Sequence, residues 1–339
     1  MLRGVNLENC EGESTMNRRE FLGFTGMMAT AGLTGVANAS EKTMSVSTPE
    51  ITGAVTDYFE FRIAGPEIKN LMTKLKQLEV GLKKNPGFLS LSLKQMVGES
   101  TMVKNYPADL KGILGSAYAD SAKQGSLPFF YSLFVRFNDY NSLQESRVAV
   151  WFRENVFPLL HAYKPTPKGP QKTPISLTYY HGVFQTILAG NRQGIYSDPN
   201  DIQHFLRASQ DSPSEHRTTV ANHVMIHDEN MKMFEKKIVP LLKVAQQTYQ
   251  PENDPNHLGK AASKENNFYR KAVTTEIMRK AIPDGDFRAY LMHGVWESML
   301  DHENSHLDRR FRQHAGPVGA MVAVGPVEPF YETRFLARS

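Results

Sequence analysis

The spacing of apolar residues changes period several times between positions 57 and 189. Tyr58-Phe59-Glu60-Phe61-Arg62-Ile63 alternates as a strand does, and Pro66 to Lys84 then sets Ile68, Leu71, Met72, Leu75, Leu78 and Leu82 at helical spacing. Pro86-Gly87 stops that helix. Phe88-Leu89-Ser90-Leu91-Ser92-Leu93 reads as a second strand, Gly98 to Gly125 as a mixed insertion, and Pro128 to Phe137 as a third strand. Asn141 to Tyr163 reads as a second helix and Ile175 to Leu188 as a fourth strand. The order strand, helix, strand, strand, helix, strand is that of a ferredoxin-like unit, with two helices on one face of an antiparallel sheet.

The order repeats, less clearly, from residue 216. Thr218 to Ile226 predicts a strand, Asn230 to Gln247 a helix, Phe268 to Ile277 a segment of either kind, and Phe287 to Trp296 a strand. Leu300 to His314 predicts a helix, and Val322 to Leu336 a strand interrupted at Gly325-Pro326. The expected fold is α+β: tandem ferredoxin-like repeats whose sheets pair their exposed faces into a unit of the dimeric-α+β-barrel type. The first repeat covers 57–189 and the second 216–339. Residues 190–215, rich in Gly, Ser, Asp and Asn, read as a linker, and the polar stretch 40–56 as a flexible arm.

The first 39 residues have another character. Arg18-Arg19-Glu20-Phe21-Leu22 opens an apolar stretch that runs to Val36, with small residues at Ala37 and Ala39. This is the pattern of an export signal, translated from Met16 and cut after Ala39. The paired arginines resemble a twin-arginine signal, which implies a periplasmic protein that folds before export. The apolar stretch is shorter than the ~20 residues of a membrane span, so no stable membrane insertion is expected after processing.

The single cysteine, Cys10, precedes Met16, so residues 40–339 offer no thiol, disulfide or cysteine metal ligand. The formal net charge of +4, without a Lys/Arg block, gives no support for nucleic-acid binding.

The chemistry is concentrated late in the chain. His302-Glu303-Asn304-Ser305-His306 has the His-Glu-x-x-His pattern, and on a helix two histidines four apart lie on one face, close enough to share a metal ion. Glu328, between Pro326 and Pro329 on the following strand, is the candidate third ligand. Two histidines and one carboxylate suit a non-heme Fe(II) oxygenase with open positions for O2 and substrate. The same three ligands suit zinc, and a zinc metallopeptidase or hydrolase is the alternative, with Glu303 as base. A carboxylate between two prolines lies outside any helix interior, unlike the usual peptidase ligand. A third reading is an exported metal-binding protein without turnover.

In these residues the chain resembles the sulfur oxygenase reductases, iron enzymes built from a tandem ferredoxin-like repeat. The resemblance lies in Trp296, then Asp301-His302-Glu303 with His306, then Gly325-Pro326-Val327-Glu328-Pro329-Phe330-Tyr331-Glu332, and in Gly81 to Gly98 of the first half. These matches cover about a quarter of the chain. The resemblance implies mononuclear iron held by His302, His306 and Glu328, with O2 and inorganic sulfur as the first small substrate; an organic substrate oxidised in the manner of the related α+β-barrel monooxygenases is the alternative. The reaction is expected in a cavity between the two sheets of a homo-oligomer. Three features depart from the family: no cysteine in residues 40–339 to carry a persulfide, the metal half placed second, and an export signal.

Other groups have structural as well as functional readings. His223 and His227 share one face of a strand, as do His293, Val295 and Glu297, and each set either lines the cavity, supplies a second metal, bonds to a ligand or holds structural histidines. Glu303 is open as general base or as a residue that orients a ligand. Met225, Met231, Met233, Met292 and Met299 fall on apolar positions and read as core. No Gly-rich phosphate loop or serine nucleophile elbow is apparent.

Overall fold

The structure, a computed structural model, describes residues 51–99, 128–208, 212–246, 272–306 and 309–339. The export-signal reading, most of the arm, and most of the expected insertion lie outside these residues.

The first half opens with β1 (Val55–Ile63) and the helix α1 (Ile68–Leu82), followed by β2 (Phe88–Glu99) and β3 (Phe129–Phe137). Two short helices come next, α2 (Tyr140–Ser146) and α3 (Val148–Asn155). A small hairpin, β4 (His161–Lys164) with β5 (Gln171–Ser176), leads to β6 (Tyr179–Asn191), β7 (Gly194–Tyr196) and α4 (Pro199–Ala208). The second half contains β8 (Thr218–His227), α5 (Met231–Gln246), β9 (Thr274–Lys280) and β10 (Phe287–Trp296). It ends with α6 (Met299–Ser305), α7 (Arg309–Gly319), β11 (Val322–Val327) and β12 (Pro329–Arg338).

Eight strands close into an antiparallel barrel in the order β1, β3, β2, β12, β8, β10, β9, β6, and β6 pairs back to β1. The first half therefore contributes β6-β1-β3-β2 and the second β12-β8-β10-β9, each with its fourth strand beside its first. The halves meet edge to edge at two seams, β2 with β12 and β6 with β9. This corrects the expectation that two sheets pair their faces: one sheet closes on itself, so each half's edge strands find their backbone partners on the other.

Along β1 and β3 nearly every residue on both faces is buried, so alternation there selects a destination for each side chain and not its exposure. Val55, Phe59, Phe61 and Ile63 of β1 face outward onto Leu71, Leu75, Leu78 and Leu82, one stripe of α1. Tyr58 points inward, where it meets Phe134, Phe184, Met278 and Leu291 from four other strands. The interior is thus a filled core, as eight strands leave room for side chains and little more. Polar groups flank this apolar layer. Arg136 reaches across from β3 to Glu276 of β9 at 2.7 Å, and Thr186 also donates to Glu276, at 2.7 Å. Burial raises the Glu276 pKa, but Arg136 and then His293 outweigh that and hold the carboxyl below its ordinary value.

Several predicted boundaries move. The arm assigned to 40–56 ends early, since Ala54, Val55 and Thr56 are buried and β1 begins at Val55. Thr56 is polar, but it faces the barrel interior. The segment 190–215 is not a loose linker: Ile202, Phe205 and Leu206 of α4 pack against Ala54, Leu89 and Ala189. The helix expected over 141–163 is broken at Arg147, which adopts a left-handed conformation with φ 52°. Ile175 belongs to the β4–β5 hairpin, and the fourth strand starts at Tyr179.

Candidate metal centre

The helix α6 begins where Ser298 accepts from the backbone N–H of Asp301 at 3.2 Å and donates to its carboxylate at 2.5 Å, a cap that fixes the chain direction after β10. His302 is buried one residue further on. The expected single helix over 300–314 is instead two, α6 and α7, and at the end of α6 the His306 N–H reaches Glu303 O at 3.3 Å, a three-residue turn.

Glu328 comes from the other side of the site. It is the single residue between β11 and β12, two segments of one broken strand that both run along β8. The break follows the cis Gly325-Pro326 peptide. Gly325 has φ +103°, and a Cβ there would lie 2.5 Å from the His223 carbonyl oxygen, so this close crossing needs glycine. Asn222 of β8 donates its side-chain amide to Glu328 Oε1.

These elements bring His302, His306 and Glu328 together, with ligand atoms all within 4.8 Å of one another. His302 is held edge-on by Trp296 at 5.0 Å and Phe330 at 5.3 Å between ring centroids, and His306 lies 5.2 Å from the Phe311 ring. Val220, Trp296 and Phe330 belong to one buried cluster on the outer face of the barrel, so the group sits between the wall and α6. It does not open into the barrel interior, contrary to the cavity expected between two sheets.

The donor set fits a metal ion. Nδ1 of His302 and Nδ1 of His306 are buried without a hydrogen-bond partner. Burial first, and then the neighbouring His302, lower the His306 pKa to about 3 against the opposing pull of Glu303, so the ring is neutral near pH 7. A neutral imidazole has the lone pair that ligation needs. Glu303 lies beside the centre with Oε1 3.7 Å from His302 Nδ1.

The remaining sequence candidates separate. His223 faces the barrel interior with Nε2 3.2 Å from Glu60, whose carboxylate also accepts from Tyr58 at 2.6 Å. His293 faces the interior near Glu276, at 3.7 Å. Neither reaches the metal group, because the wall of the barrel intervenes. His227 is exposed beside Phe287, and Glu297 pairs with Arg192 and Arg217. Met231 and Met292 pack on the core near Phe234, Met299 lies beside Trp296, and Met233 is exposed. The sequence reading missed Asn222 and the walls formed by Phe311 and Phe330. Asn222 had one available signal, its place next to His223 on the opposite face of a predicted strand.

Two family models match the chain. Residues 54–142 match the ABM-like domain, a monooxygenase-type fold, and residues 187–334 match the CT0912-like, C-terminal domain. No curated protein matches. Among solved structures, the chain is similar to a candidate monooxygenase from Fusobacterium nucleatum subsp. nucleatum ATCC 25586, with 9% identity, TM-score 0.48, and coverage of 85% of this chain and 95% of that one. An anthrone oxidase-like protein gives 10% identity, TM-score 0.48, and coverage of 86% and 95%. A candidate monooxygenase from Lactobacillus acidophilus NCFM gives 9% identity, TM-score 0.46, and coverage of 84% and 96%.

Proposed function

We propose that this protein is a periplasmic mononuclear non-heme iron oxygenase that uses O2 on a small substrate, with His302, His306 and Glu328 holding the iron. The observation that carries the reading is the convergence of a buried imidazole, a partly buried imidazole and a partly buried carboxylate within 4.8 Å. Iron held by these three residues would supply redox chemistry toward O2 and a substrate. The chain's own contribution is to orient and to exclude water. Trp296 and Phe330 fix the His302 ring, and Phe311 flanks His306.

The match of residues 54–142 to the ABM-like domain supports the oxygenase class. The order of four strands in each half supports reading the halves as tandem ferredoxin-like repeats. Inorganic sulfur is the first candidate substrate, through the resemblance at His302–His306 and Gly325–Glu332. With no thiol in residues 40–339, the substrate is not carried as a protein persulfide.

The test is to load the protein anaerobically with Fe(II) or Zn(II) and offer sulfur compounds and peptides with and without air. Oxygen uptake by the iron form alone is expected, together with one metal ion per chain and loss of most bound metal in His302→Ala and Glu328→Ala. Peptide cleavage by the zinc form under nitrogen would overturn the oxygenase reading. Full metal content in both variants would remove the site itself.

A further inference from the structure

Alternate residues of β8 face opposite sides of the barrel wall. The outer-facing Val220, Val224 and Ile226 are buried apolar side chains, and Asn222 stands in the same row. A valine there would complete the row. The amide instead stands beside the metal group, giving its Nδ2 to Glu328 Oε1 while its own Oδ1 stays buried without a partner. An ionised carboxylate accepts hydrogen bonds and donates none, so the NH2 must be the end that faces Glu328. A buried carbonyl oxygen without a donor is costly, so this position carries a polar group against its local interest. Glu328 lies between Val327, which pairs with His223, and Phe330, which pairs with Val220, so the unbroken register across this step sets it opposite Asn222.

We infer that Asn222 is a positioning residue for the metal centre: by occupying Oε1 it turns Glu328 so that Oε2 is presented to the metal. Ligation through one oxygen then leaves a further position for an exogenous ligand. This rests on the three-ligand reading above. Without the amide, Oε1 of Glu328 loses the hydrogen bond that Asn222 supplies.

The experiment compares the unmodified protein with Asn222→Leu, Asn222→Ala and Asn222→Ser, using Fe(II) affinity by chelator competition, the visible spectrum of the Co(II) form, and thermal unfolding. Asn222→Leu is expected to keep or raise the melting temperature while Fe(II) affinity falls ~10–100-fold and the Co(II) spectrum changes. The Ala and Ser variants differ by one hydroxyl donor, so the pair carries the test even where the Leu variant fails to fold: Ser should bind metal more tightly than Ala. Equal affinity and identical Co(II) spectra in Ala, Ser and the unmodified protein would overturn the role of Asn222 and leave the three-ligand reading standing. Failure of the folded, unmodified protein to bind Fe(II) or Co(II) would overturn both.

Discussion

The imidazole rings of His302 and His306 stand 4.7 Å apart and almost perpendicular, at 89°. Trp296 and Phe330 flank His302 and Phe311 flanks His306, and burial lowers the His306 pKa to about 3, so that ring is neutral. An ordinary histidine titrates near 6.5, so between those two values the unfolded chain binds more protons than the folded one. Stability of the metal-free protein should therefore rise with pH across this window and be lost on acidification. The slope from this residue is at most about 1.4 kcal/mol per pH unit. Denaturant unfolding of metal-free protein at a series of pH values measures it, and His306→Gln should flatten the profile. An unchanged profile in that variant would place the acid sensitivity elsewhere.

A second expectation concerns the ion pair inside the barrel. Arg136 and Glu276 are both buried, so removing one partner strands a charge. Arg136→Met should cost about 3–5 kcal/mol, and the double change Arg136→Met with Glu276→Leu should recover much of that loss. Unfolding of the single and double variants decides it. A neutral Arg136→Met would mean that the pair contributes nothing to stability.

Gly325→Ala should strain the turn that delivers Glu328. The added Cβ meets the His223 carbonyl oxygen at 2.5 Å, and a left-handed φ adds its own penalty of about 1–3 kcal/mol. Both the melting temperature and the metal content should fall. Retention of full metal content would show that Glu328 tolerates displacement of its own strand.

The export reading has a separate test. Arg18→Lys together with Arg19→Lys should strand the protein in the cytoplasm, because the twin-arginine route recognises the pair and not merely its charge. Cell fractionation reports the outcome, and undiminished periplasmic accumulation would point to the general secretion route.

Local order was readable because it depends on neighbouring residues. The leucine stripe of α1 and the alternation over Phe287–Trp296 both lie within one element. Closure was not readable, since the seams pair residues as distant as Lys94 and Thr333, and nothing local to either names the other. The helix α4 was hidden by composition: Ile202, Phe205 and Leu206 are spaced for a buried face, but Gly, Ser, Asp and Asn surround them. Two of the three clustered side chains stood out through their four-residue spacing. Glu328 depended on resemblance and its flanking prolines. Asn222 had only its place next to His223 to mark it, because one polar residue in a strand does not name its partner on the adjacent strand.

The two outer faces of the barrel differ in what they bury. The first half packs Phe59, Phe61, Phe88, Phe137 and Phe152 into one large apolar cluster, whereas the face under α6 includes polar histidines and a broken strand. Local opening should therefore be unequal: amides of β1 and β3 should exchange with solvent hydrogen only on global unfolding, and those of α6 and β11 well before. A face that opens cheaply would give the proposed ion a route into a closed protein, so its exchange would not have to wait for the barrel to come apart.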